Sequence, residues 1–218
     1  MNALVTEPRA AVDPARVARG FADPVAAAQR TFRALLDATA RPGRIATLSA
    51  DVLDGLAVGG LSPAAYATLL ALLDAETSVH LEARAAAALD ALRFHTGVRV
   101  AASASTAAFV AVDAEHAAPS LWARLDTGSD ERPQDGSTLL VDVPSLHLGP
   151  AAPGEAALVL AGPGIETEHR LTVGGLDERF WQARAALAPA YPRGVELLLA
   201  CGDRLAAVPR TTRVRVEG

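Results

Sequence analysis

Two apolar runs, Thr138-Leu-Leu-Val-Asp-Val143 and Ala156-Ala-Leu-Val-Leu-Ala161, decide how this sequence folds. Each is bounded by Gly, Pro and Ser, and each has the length of a strand rather than a helix. Runs of this kind read as strands buried on both faces. A third run, Val195-Glu-Leu-Leu-Leu-Ala-Cys201, follows, and the turn Gly202-Asp203 leads from it into Leu205 to Val208. The end of the chain, Arg213-Val-Arg-Val216, alternates charge and Val as a half-exposed strand does. His169 to Val173 alternates as well and reads as an edge strand.

Working outward, the earlier half interleaves helices with strands. Asp23-Pro24 pairs an N-cap with a first-turn proline, and Val25, Ala28, Phe32, Leu35, Leu36 and Thr39 follow at helical spacing. Arg30, Arg33 and Asp37 form the opposite face, with Asp37 placed to pair with Arg33. Arg41-Pro42-Gly43 stops the helix before a short strand at residues 44–48. Ser62-Pro63 repeats the helix-start signature ahead of AAYATLLALLDA, a segment apolar nearly all round and therefore a buried helix. Thr77 to Leu81 is a strand, Ala85 to Phe94 a helix, Ala107 to Val112 a strand, and His116 to Arg124 a short helix. Leu125 to Ser137 is a polar loop whose carboxylates, Asp126, Asp130, Glu131 and Asp135, read as solvated. The pattern predicts a single α/β domain over residues 21–218, with a mixed sheet flanked by helices. Residues 1–20 read as a weakly ordered N-terminal arm.

Composition closes several routes. All 20 Lys+Arg positions are Arg, so no lysine is present to form a Schiff base with pyridoxal phosphate (PLP) or to complete a Walker-A loop. No cofactor is expected. Any bound anion must be held by Arg, hydroxyls or backbone N–H groups. The net charge of −5 argues against a nucleic-acid partner. Cys201 is the single cysteine, which excludes an internal disulfide and a Cys-based zinc site and fits a reducing, cytoplasmic setting. Neither a signal peptide nor an apolar run of membrane-spanning length is seen, so no membrane partner is expected.

Standard catalytic signatures such as G-x-S-x-G, H-E-x-x-H and C-x-x-C are absent, and His80, His95, His116, His147 and His169 are dispersed, so no metal site is expected. Three short motifs carry anion-binding chemistry, each with a structural alternative. Gly162-Pro-Gly164-Ile is either an anion nest or a turn at a strand end. Arg93, His95 and Thr96 converge at a helix C-terminus, where they either bind an anion or cap the helix before Gly97. Pro209-Arg210-Thr211-Thr212 sets a guanidinium beside two hydroxyls, either for an oxyanion or to tie a sheet edge.

Taken in order, these segments resemble one family. Phe21-x-Asp-Pro-Val25 precedes Gln29-x-x-Phe32-Arg33-x-Leu-Leu-x-Ala38 and Pro42-Gly43. Leu72-Leu-Asp74, Leu92-Arg-Phe-His-Thr96, Thr127-Gly128 and Thr138-Leu follow. Gly162-Pro-Gly-Ile165, Tyr191-Pro-x-Gly194 and Pro209-Arg-Thr-Thr212 complete the series. Over residues 21–217 the chain is similar to PhnH, the phosphonate-metabolism protein of the bacterial carbon–phosphorus lyase complex. The resemblance implies a fold like that of PLP-dependent transferases without the cofactor, and a homodimer that joins subunits G, I and J in the cytoplasm. It implies support, with subunits G, I and L, for moving a phosphonate onto the ribose C1 of ATP. The product is a ribose 1-phosphonate 5-triphosphate. The enzyme is the assembly; no catalytic residue of PhnH itself is implied. The rival expectation is a pure scaffold with no ligand site. One departure stands out: Glu196 occupies a position where the family often has Asp, and an Arg partner there must adjust to the extra methylene.

Overall fold

The computed structural model describes residues 17–217. Residues 1–16 of the expected N-terminal arm lie outside the described residues. Val17 and Ala18, at its end, pack against the helical core.

The first half of the chain carries α1 (Pro24–Ala40), β1 (Ala46–Thr47), α2 (Ala50–Leu53), α3 (Pro63–Leu72), β2 (Ser78–Leu81), α4 (Leu89–Thr96), β3 (Arg99–Val100) and β4 (Phe109–Asp113). The second half carries β5 (Thr138–Asp142), β6 (Leu146–His147), β7 (Glu155–Ala161), β8 (His169–Gly174), α5 (Glu178–Ala185), β9 (Glu196–Cys201), β10 (Arg204–Val208) and β11 (Arg213–Val216). Two helix starts follow the caps read from the sequence, at Asp23 and Ser62, and a third cap, Asp177, starts α5. Asp23 accepts from the Ala26 N–H at 3.1 Å, Ser62 from Ala65 at 3.3 Å, and Asp177 from Phe180 at 2.9 Å.

Two sheets form, not one. Seven strands in the order β1-β10-β9-β5-β4-β2-β3 make a mixed sheet in which β9, β5, β4, β2 and β3 run parallel and β10 is reversed. The order β11-β7-β8-β6 makes a separate antiparallel sheet. The mixed sheet is the middle layer. One face, with Leu140, Leu198, Ala200, Leu205 and Ala207, packs on α1, α3 and α4. The other, with Leu139, Val141, Leu197, Leu199 and Val208, packs on the second sheet and α5. Alternate residues of β5 and β9 thus enter opposite cores, which is why these segments are apolar without alternation.

Four further expectations are corrected. Strand β8 is paired on both sides, by β7 and β6, so it is not an edge. Helix α1 buries Ala27, Thr31, Leu35 and Ala38, and leaves Val25, Phe32 and Leu36 exposed. The small residues let the helix approach α3 and β10 closely, which turns the bulkier stripe outward. Asp37 pairs with Arg41, one turn on, rather than with Arg33. The segments at residues 83–88, 114–116 and 119–124 form 3-10 turns in place of parts of the expected helices.

Gly164 seats the β7–β8 turn against the end of α1. Its φ is +80°, and a Cβ there would lie 2.2 Å from the Ala40 carbonyl oxygen. Gly154 has a φ of +86° with nothing within 4 Å. Gly154→Ala should therefore lose only the left-handed strain, about 1 kcal/mol. Gly164→Ala should lose more than about 2 kcal/mol in urea unfolding. Equal losses would show that the close approach carries no energy.

Candidate functional site

The predicted site residues fall in two separate places. At the end of α4, the Thr96 hydroxyl donates to the Leu92 carbonyl at 2.7 Å and accepts from the Val98 N–H at 3.2 Å. His95 Nε2 lies 2.8 Å from the Ala18 carbonyl, and the imidazole stands edge-on to Phe94. Gly97 closes the helix at φ 72° by donating to the Arg93 carbonyl at 3.0 Å. These groups are engaged in capping the helix and holding residues 18–20. The Gly162 and Gly164 positions press against the Thr211 and Ala40 carbonyls, which is the geometry of a packed turn.

The second group lies at the crossover from β10 to β11, where the chain leaves one sheet for the other. Glu196 holds Arg210 twice, accepting from its backbone N–H at 3.0 Å and pairing with its guanidinium at Nε, 3.1 Å away. The longer Glu side chain reaches both. Arg210 also donates to the Pro133 carbonyl, tying the polar loop to the crossover. Arg193 pairs with Asp130 of that loop at 3.2 Å. Thr212 is buried, and its backbone N–H donates to Pro209 at 2.8 Å. Thr211, partly exposed, sits between them. Sequence reasoning missed the residue beneath: Arg184 of α5, 7% exposed. Its guanidinium donates to the carbonyls of Thr212 (3.0 Å), Val208 (3.0 Å) and Pro209 (2.7 Å). Burial pulls Arg184 down to about 10, with the Glu196 charge opposing. Arg184, Arg210 and Thr212 border one cleft of ≈ 260 Å³.

Sequence reasoning also missed a larger cleft, ≈ 600 Å³, at the carboxyl ends of β4, β5 and β9. In parallel sheets ligands bind outside these ends, where successive connections diverge. Here the chain runs from β2 to β3 on one side and then to β4 on the other. Asp113 and Asp142 end β4 and β5 and are register partners. Burial pushes Asp113 up, but hydrogen bonds from His116 (2.7 Å) and the Arg84 N–H outweigh it and hold the carboxyl below its usual range. Burial pushes Asp142 up, the Ser62 contacts oppose this, and the Asp113 charge adds to it. The two adjacent carboxyls are thus driven in opposite directions. Arg84 pairs with Asp113 (3.8 Å) and Glu115 (3.2 Å). Asp113, Glu115 and His116 have donor atoms within 4.8 Å of one another, close enough for a divalent ion, but Arg84 already supplies their counter-charge. The signal available in the sequence was the shared ending of two apolar strands in Val-Asp.

The family described as bacterial phosphonate metabolism protein (PhnH) matches residues 19–215. The chain belongs to this family. A relative from Rhizobium meliloti (strain 1021), alpha-D-ribose 1-methylphosphonate 5-triphosphate synthase subunit PhnH, is 33% identical over 199 residues, covering 90% of this chain and 94% of its own. The putative C-P lyase subunit protein HtxG of Stutzerimonas stutzeri is 33% identical over 190 residues, covering 87% of both chains. The PhnH match spans every residue bordering the two clefts.

The raised Asp142 carboxyl has a sign that can be measured. Its folded state resists ionisation, so its contribution to stability falls as pH rises from the ordinary carboxylate range through the raised value. Asp142→Asn keeps an acceptor for Ser62 and removes the titration. The stability difference, variant minus native, should grow between about pH 4 and about pH 8 in urea unfolding. A pH-independent difference would show that Asp142 titrates normally.

Proposed function

We propose that this chain serves as the PhnH component of a carbon–phosphorus lyase system. In that role it supports, with subunits G, I and L, formation of a ribose 1-phosphonate 5-triphosphate from ATP and a phosphonate. The observation that carries the reading is the match over residues 19–215, together with a relative that shares 94% of its own length with the chain. The proposal includes a cytoplasmic homodimer that joins subunits G, I and J and is not catalytic alone. Among the described residues no helix is long and apolar enough to cross a membrane. A PLP-transferase-like fold used without that cofactor belongs to the same reading. The broad mixed sheet with one reversed strand supports the fold, and the lack of lysine supports the missing cofactor.

The exposed stripe on α1 favours an assembly role beside any ligand role. Val25, Phe32 and Leu36 are 81%, 46% and 52% exposed on one helix face. Apolar patches of this kind mark protein contacts. Thr39, Leu72, Phe109 and Pro209 extend the same apolar surface into a shallow groove.

A bacterium lacking its own PhnH should grow on methylphosphonate as sole phosphorus source when it carries this chain. Failure of a well-expressed chain to restore growth contradicts the role. Phe32→Asp with Leu36→Asp should abolish co-purification with the other components and leave the unfolding midpoint of the isolated protein unchanged. Undiminished co-purification removes α1 from the assembly surface.

A further inference from the structure

The cleft beside the β10–β11 crossover is bordered by residues whose buried polar atoms find no partner among the described residues. Trp122 Nε1, Arg184 Nε and Thr212 Oγ1 are buried and have no hydrogen-bond partner. Their residues are 2%, 7% and 2% exposed, and all three border the cleft. Buried polar groups are normally paired, so three unpaired ones around one cavity require a cause. Two of them only donate, and the hydroxyl does both.

The charges agree with the donors. Four guanidiniums, of Arg184, Arg193, Arg210 and Arg213, line the cleft, and no carboxylate does. Arg210 is matched by Glu196 and Arg193 by Asp130. Among the described residues, Arg184 and Arg213 have no carboxylate within 4.0 Å. The hydrogen bonds of Arg184 go only to carbonyls, and the carboxylate that acts on it, Glu196, is already paired with Arg210. The remaining wall, with Leu187 and Val214, is apolar. At ≈ 260 Å³ the cavity is smaller than a typical drug-sized pocket and too small for a whole nucleotide.

We propose that this cleft binds a small tetrahedral oxyanion of phosphorus, a phosphonate or phosphate, through Arg184, Arg213, Thr212 and Trp122. The oxyanion class follows from donors and charge; the choice of phosphorus rests on the role proposed above. Arg184 and Arg213 offset the one negative charge of a singly protonated phosphonate or the two of hydrogen phosphate. The three or four oxygens meet the orphan donors, and Thr212 Oγ1 accepts the proton of the singly protonated form. A carbon substituent, where present, lies against Leu187 and Val214.

Calorimetric titration of the full chain with methylphosphonate, inorganic phosphate and sulfate at equal ionic strength tests this. Both phosphorus anions should bind, and sulfate, with no proton for Thr212, should bind at least about tenfold more weakly. Thr212→Val preserves shape, and Arg213→Gln changes an exposed position, so both variants should fold. Each should weaken binding about tenfold or more. Methylphosphonate should change the tryptophan fluorescence of the native chain and not that of Trp122→Phe. Absence of binding, equal sulfate affinity, or unchanged affinity in both variants overturns the proposal. A chain that restores growth on methylphosphonate without binding these anions loses this site and keeps its role. One that binds them without restoring growth keeps the site and loses the role.

Discussion

One buried side chain holds the two halves of this molecule in register. Arg184 reaches from α5 to the three carbonyls at which the chain leaves the mixed sheet and enters the antiparallel one. A crossover between sheets breaks both ladders, and its backbone groups still need partners. Pro209 supplies no N–H, and Thr212 turns back on it. The carbonyls left over point at one guanidinium. Phe180 and Trp181, nearly fully buried on the same helix, pull that guanidinium into the interior. Among the described residues the clamp has no directly paired carboxylate, and the cleft it borders is also bordered by Trp122 and Thr212, whose buried polar atoms are unpartnered there.

The layer arrangement follows from the strands. Residues of β5 and β9 enter opposite cores in turn, so the mixed sheet must be covered on both faces. Helices α1, α3 and α4 cover one face, and the second sheet with α5 covers the other. The same stacking places Asp113 and Asp142 side by side at the carboxyl ends of their strands, where there is no further ladder to bury them. It also leaves α1 with an apolar stripe that none of the described elements covers. Two clefts and one bare helix face suit a protein that works as part of a larger assembly.

Much of this was legible in the residues. The three apolar runs are strands, and the Asp23 and Ser62 caps start helices where expected. The face of α1 was misread because Ala27 and Ala38 carry little hydrophobic signal, yet their small size sets how close the helix packs. The second sheet was not foreseen, since a crossover at Pro209 looks like any turn until both neighbours are placed. The site was half legible. Arg210, Thr211 and Thr212 mark the crossover by their chemistry, whereas Arg184 lies in a helix whose mixed composition suggests a surface. His95 and Thr96 carry the same chemistry, but the Ala18 and Leu92 carbonyls engage their polar atoms. Asp113 and Asp142 were hidden because a strand end looks alike whether it faces water or a cleft.

The clamp at Arg184 is the claim on which the crossover and the cleft both depend. Equilibrium urea unfolding of Arg184→Met measures it most directly, since Met fills the space and offers no donor. The Val208 and Thr212 carbonyls would lose the guanidinium, and the Pro209 carbonyl would keep only its bond from Thr212, so the unfolding free energy should fall by at least about 2 kcal/mol. A loss below about 1 kcal/mol would contradict the account, because the carbonyls would then have had no need of the guanidinium.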